Sequence, residues 1–188
     1  MVRVPYVSRE DLPPGKRDIY DQIFSKRHSV PLPFSVLMNS PELAGKVAAV
    51  GEHLRYGDST LPASVREIAV LATGQALKCQ YVFTHHVPPA KEAGVADDVI
   101  NAIRDGVPTR RLLPKDGVIV QFARELLGEK KVHDATFGAV EHLLGMRGTV
   151  ELVATIGYYA MLCYVNNSLE VGLEEGVAPL LPDSATGL

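Results

Sequence analysis

A chain of 188 residues is long enough for one well-buried domain and short for two. It is 46% hydrophobic and 22% charged with a net charge of −3, which argues against a disordered chain and leaves no basic excess for a nucleic-acid surface. The largest cationic cluster, Arg110 and Arg111 with Lys115 nearby, sits beside prolines and reads as a solvated loop.

The opening Met1-Val2-Arg3-Val4-Pro5-Tyr6 lacks the apolar run of a signal peptide. The longest apolar stretch, Leu152 to Val165, is too short to span a bilayer and suits a buried helix. Two cysteines far apart in the chain, Cys79 and Cys163, do not make a disulfide framework. A reducing, cytoplasmic setting with neither membrane nor nucleic-acid partners is the expectation.

Helix signals follow one another along the chain, and clean strand alternation is hard to find. Ser40-Pro41-Glu42 sets a capping residue, a first-turn proline and a first-turn acid before an Ala/Val/Leu-rich segment that should stop at a left-handed Gly57. Pro62 opens the next helix, with Val65, Ile68, Ala69, Leu71 and Ala72 as its apolar face. A helix from about Gln80 ends at Gly94, and a short one covers Ala96 to Asp105. Pro114 to Leu127 stops at Gly128, another helix spans His133 to Leu144, and a last long one runs from Thr149 to about Val171. Tails rich in Pro and Gly at both ends are expected to pack loosely or to wrap a neighbour. With no internal linker, residues 1–188 read as one all-helical domain.

A faint internal repeat accompanies these helices. Glu67 is followed by eleven residues and then Cys79, and Glu151 by eleven residues and then Cys163, each glutamate opening an apolar run. A duplicated helical hairpin would produce this pattern, and so would chance.

Residues 66–86 carry the candidate chemistry. One helix running unbroken to Gly94 would be long, so a corner just before Cys79 is expected, folding two helices back on each other. Glu67 and His86 then face one another, with Cys79 at the N-terminus of the second helix. There the helix dipole favours a thiolate. The imidazole of His86 can pass a proton in either direction, and the Glu67 carboxylate can orient it. Arg66 is expected on the outer side, and one of the adjacent His85 and His86 toward solvent. Set against this, a glutamate in the second turn after Pro62 is ordinarily a dipole partner, and a cysteine in an apolar run is ordinarily core. The histidine spacing is poor for a metal, so none is expected.

This stretch resembles the signature of the carboxymuconolactone decarboxylase and alkylhydroperoxidase D superfamily. The peroxidase branch has Glu, eleven residues, Cys, two residues, Cys, three residues, His; here Glu67, Cys79 and His86 fall in register, while the second cysteine position is Val82. Cys79-Gln80-Tyr81-Val82-Phe83 through His86-Val87 is close to the non-peroxidase form, and Leu37 to Leu43, Ala93-Gly94-Val95, Glu151-Leu152-Val153, Gly157-Tyr158-Tyr159 and Asn166-Asn167 agree with it. The similarity covers about residues 30 to 172. It implies an antiparallel helical bundle that assembles as a trimer or hexamer; the apolar helix from Leu152 to Val165, needing neighbours on every side, also calls for a homo-oligomer.

The resemblance further implies a cofactor-free lyase or isomerase acting on a small carboxylated cyclic or lactone-like substrate. His86 would be the general acid/base, Glu67 its orienting partner and Cys79 a pocket thiol, with Arg66, Tyr81, Phe83 and His85 as substrate contacts. Arg27 and Arg55 are further candidates for anchoring a carboxylate. Two alternatives are a one-cysteine peroxidase resolved by an external thiol and a non-catalytic binder of small molecules. With Val82 in the resolving position, Cys163 is the one other thiol a dithiol mechanism has.

Overall fold

The computed structural model describes residues 1–182. Among them are α1 (Arg17–Arg27), α2 (Leu32–Leu37), α3 (Pro41–Tyr56), α4 (Ala63–Ala76), α5 (Gln80–Glu92), α6 (Asp97–Arg104), α7 (Pro114–Gly128) and α8 (Asp134–Leu169), with 3₁₀ turns at Pro14–Lys16 and Thr109–Arg111 and no strand. The all-helical expectation is met.

The chain groups into two compact units. One comprises Met1–Ser59 with Val165–Gly176, the other Thr60–Tyr164 with Val177–Leu188. No linker in the sequence marks this division, and α8 contributes residues to both.

In the first unit, α1 was not read from the sequence because it is mostly polar and buries only Ile23. It packs on α3, where Gly45 leaves room for Ile19. The N-terminal tail is fastened rather than loose: Arg3 N donates to the Leu169 carbonyl (2.9 Å), and Arg9 forms a two-pronged pair with Asp21 (2.6 and 2.9 Å). Helix α3 starts at Pro41 as expected, but Gly57 ends it in an extended conformation (φ −93°), so the stop is not left-handed.

The second unit holds the core. Helix α4 is buried continuously from Glu67 to Gly74, a wider apolar surface than the stripe read from its sequence. It is sheathed by α5, α6 and α7 through Ile68, Leu71, Phe83, Ile103, Ile119 and Phe122. Leu181 also enters this core, and Leu180 N donates to Thr84 Oγ1 (3.2 Å), so the C-terminal tail is packed as far as it is described.

The expected helices His133–Leu144 and Thr149–Val171 merge across a kink at Gly145, whose φ of 69° only glycine adopts without strain. Among the described residues, α8 is the one helix long and apolar enough to cross a membrane by length and composition. Just over half of its most apolar window, 56%, is buried within the protein, the pattern of a core helix. The repeat's second hairpin is not found: Glu151 and Cys163 lie on one helical run, with no corner between them.

Candidate functional site

The site begins with the turn between α4 and α5. Leu77, Lys78 and Cys79 close α4 with a Schellman motif: Cys79 N donates to the Gly74 carbonyl (2.8 Å) and Lys78 N to that of Gln75 (3.2 Å). Lys78 takes the left-handed conformation (φ 51°) that reverses the chain. Cys79 then caps α5 and accepts the first turn's hydrogen bond from Phe83 N (3.1 Å). Gly74 lets the two helices meet at this corner, because a Cβ there would lie 3.1 Å from Phe83 N.

The hairpin lays Glu67 against His86. Glu67 is 1% exposed, and a carboxylate that deeply buried needs partners. Its Oε2 lies 2.7 Å from His86 Nδ1, and its Oε1 accepts from Arg66 Nε at 3.3 Å. Arg66 is therefore turned inward onto the carboxylate, contrary to the outer position expected of it. A carboxylate on Nδ1 favours the tautomer with the proton there, leaving Nε2 to accept or deliver a proton.

Neither histidine of the adjacent pair is fully exposed. His85 stacks edge-on against Tyr81, ring centroids 4.1 Å apart. By helical geometry these two lie about 100° and about 140° round α5 from His86, on a neighbouring face. Phe83, expected as a substrate contact, is 1% exposed and belongs to the hydrophobic core, where it packs at Gly74.

Helix α8 supplies what the sequence reading did not assign. Tyr159 meets the His86 ring edge-on at 4.8 Å, and Tyr158 meets Tyr159 in the same manner at 5.2 Å. One turn further along α8, Cys163 hydrogen-bonds Cys79. Neither cysteine is in a disulfide, and both are without solvent exposure. That hydrogen bond first, and burial second, hold the Cys163 thiol well above the ordinary thiol range. The pairings 79 with 163 and 86 with 159 run in opposite order, so α5 and this part of α8 lie antiparallel. The repeat pointed toward Cys163 without its partner; Tyr159 was marked only as part of the Gly157-Tyr158-Tyr159 resemblance, with nothing to place it against His86.

The remaining candidate anchors are in the first unit. Arg27 pairs with Glu52 (3.2 Å), donates to the Ala48 carbonyl (3.3 Å) and stacks on Phe34. Arg55 lies over the Tyr56 ring. Among the described residues no group of three or more His, Cys, Asp or Glu side chains is placed to hold a metal ion.

Comparison with known proteins places this hairpin in a family context. The profile of the carboxymuconolactone decarboxylase family matches residues 41–111, which include Glu67, Cys79 and His86. No curated protein matches the chain. Among solved structures, the chain is similar to an alkylhydroperoxidase AhpD core, an uncharacterized peroxidase-related protein from Ralstonia eutropha JMP134. The TM-score is 0.73 at 20% identity, over 95% of this chain and 92% of that one. It is also similar to a peroxidase-related protein from Silicibacter sp. TM1040, with a TM-score of 0.70 at 16% identity over 94% and 90% of the two chains. Residues 41–111 thus match the carboxymuconolactone decarboxylase family profile, and the chain has an alkylhydroperoxidase D-like fold.

Proposed function

We propose that the protein is a cofactor-free lyase or isomerase whose reaction runs through general acid/base chemistry at His86. One observation carries this reading: a carboxylate excluded from water, Glu67, is held 2.7 Å from Nδ1 of a partly accessible imidazole. Glu67 fixes the ring and stabilises its protonated form, which is what a proton donor to carbon requires. The substrate class follows from Arg66, whose planar guanidinium beside the dyad suits a carboxylate. As carbon dioxide leaves such a substrate, the electron pair stays on carbon as an enolate-like carbanion. His86 Nε2 delivers a proton there and regains one from water. Tyr159, edge-on to the ring, limits its rotation.

The test is a panel of carboxylated lactones and 3-oxo acids in deuterated water, followed by NMR for carbon dioxide loss and deuterium at the new C–H bond. His86→Ala should lower turnover at least 10³-fold, and Glu67→Gln about 10²-fold, the usual range for a general acid/base and its orienting partner. Cys79→Ser should retain most of it. An active wild type whose His86→Ala variant is equally active would overturn the assignment.

A second reading, peroxide chemistry at Cys79, is favoured by the position of that thiol at the start of α5 and its contact with Cys163. It agrees with the peroxidase-related description of the two solved relatives.

A further inference from the structure

The C-terminal segment of the second unit meets α5 in a way that core packing alone does not require. Of residues 171–182, only Leu181 is buried; it is 7% exposed and joins the hydrophobic cluster that contains Phe83 and Val87 of α5. Its neighbours Val177 and Leu180 stay exposed, and residues 177–182 form neither helix nor strand. Pro179 and Pro182 flank Leu180 and Leu181. A proline fixes its own φ and turns the residue before it toward an extended conformation, so this stretch is biased to be extended before it docks.

Prolines carry no N–H, so Leu180 and Leu181 supply the backbone donors of residues 179–182. Both reach one side chain. The Gln80 amide, oriented with its oxygen toward donors, accepts from Leu180 N (2.7 Å) and Leu181 N (3.1 Å), and its nitrogen donates to the Leu181 carbonyl (3.3 Å). One turn along α5, the buried Thr84 hydroxyl donates to the same Gln80 oxygen (3.2 Å) and also lies 3.2 Å from Leu180 N. Gln80 and Thr84 are four residues apart and share a face of the helix. His86 lies roughly 160° round α5 from Thr84, so this face is not that of the Glu67–His86 pair.

We propose that the Gln80–Thr84 face of α5 is a binding site for an extended peptide with one apolar anchor, and that residues 177–182 of the same chain are its ligand, able to leave and return while the helices stay folded. The recognition follows the logic of an added strand: bonds to the main chain hold the peptide, and a single buried position selects leucine. Here one side-chain amide takes the place of a strand edge. The two prolines lower the cost of ordering the peptide. A segment that contributes one buried side chain, and no helical bonds, belongs to the least stable part of the unit and opens by itself. Gly176, left-handed at φ 81°, begins the segment and gives it a turn to open from. The inference is independent of the acid/base reading, because Gln80 and Thr84 take no part in proton transfer by His86.

The test uses the full chain carrying Leu181→Asp, which empties the site, and a fluorescent peptide of residues 177–182. The variant should bind the peptide saturably with a Kd of about 1 mM or below. The wild type should bind it at least tenfold more weakly, because its own segment competes at high effective concentration. Adding Gln80→Ala to the variant should weaken binding at least tenfold, and a peptide bearing the same Leu181→Asp change should not bind. No saturable binding by the folded variant, or binding indifferent to Gln80→Ala, would overturn the proposal. Hydrogen exchange in the wild type gives a second reading. The Leu180 and Leu181 amides should show protection at least tenfold lower than those of Phe83 and Val87, because the segment leaves without the helices unfolding. Equal protection would mean that the segment opens only with the whole core, and the proposal would fall. Should the variant lose its helical circular dichroism, the exchange measurement decides.

Discussion

Among the described residues, the second unit buries three carboxylates, and each is held by different donors. Glu67 has Arg66 and His86, while Glu151 has the Thr60 backbone N–H (2.6 Å), the Thr60 hydroxyl (2.9 Å) and Arg147 (2.9 Å). Glu125 accepts from Gln121 (2.8 Å), His133 N (2.9 Å) and Thr136 (2.9 Å), with the His133 ring at 3.0 Å, and so fastens α7 to the start of α8. Burial pushes the Glu125 carboxyl up, but the bonds from Gln121, His133 and Thr136 together bring it down to about 2, against 4.5 ordinarily. Its ionised form therefore contributes stability in full above pH 4.5, and this is lost as pH falls from 4.5 toward 2. The His133 imidazole, raised by Glu125, acts in the opposite sense: its contribution is full below pH 6.5 and fades as pH rises. Glu125→Gln should lower the stability read from urea unfolding by about 1–3 kcal/mol at pH 7, with a smaller loss on acidification than in the wild type. Identical acid profiles for the two proteins would remove Glu125 from this role. Among the three, sequence marked Glu67, whose spacing to Cys79 and His86 matches a known signature, and Glu151, through its spacing to Cys163. Each of Glu125 and Glu151 has one partner a turn away on its own helix, but the donors from His133, Thr136 and Thr60 come from other segments, and no local pattern announces them.

At the level of elements, helix ends explain much of what sequence could read. Helices α5 and α6 both close on Schellman motifs with glycine in the left-handed place: Gly94 (φ 82°) with Val95 N bonded to the Ala90 carbonyl, and Gly106 (φ 67°) with Val107 N bonded to that of Ala102. The corner between α4 and α5 uses the same bonds, with Lys78 where glycine is preferred. A side chain there is strained by about 1 kcal/mol, offset in part by the freedom glycine would add to the unfolded chain. Lys78→Gly is thus expected to raise stability by roughly 0.5–1 kcal/mol. It should leave the Cys79 and His86 geometry in place, with chemical denaturation as the measure. A loss of stability would mean that the lysine side chain contributes more than its backbone costs. The end of α5 was legible through its glycine, and the boundaries of α4 and α7 through prolines at their starts. Helix α1 was not, since an element that buries a single side chain has no apolar period to read. The Cys79–Cys163 contact was equally invisible, because it is made by packing α5 against α8 and not by anything within either segment.

Taken whole, the molecule presents one face that its own core does not explain. On α8 the residues Met146, Val150, Val153, Met161 and Tyr164 are 38–63% exposed, and Gly157 between them has open space above its Cα. They recur at intervals of three and four, the spacing of a helix seam, and residues 152–169 hold no charged side chain. The opposite side of the same helix is buried through Leu152, Ile156, Tyr159 and Cys163, so lipid cannot surround it. A stripe of this kind is self-complementary under a rotation axis, and it offers no charge by which a different partner would be chosen. A second copy of the chain is the occupant we expect, in line with the homo-oligomer anticipated from the sequence. Sedimentation equilibrium should then give a mass that is a multiple of 20.4 kDa. Val150→Asp combined with Met161→Lys should return it to 20.4 kDa with helical content unchanged. A wild type that remains monomeric at concentrations of tens of micromolar would show that the seam serves another surface.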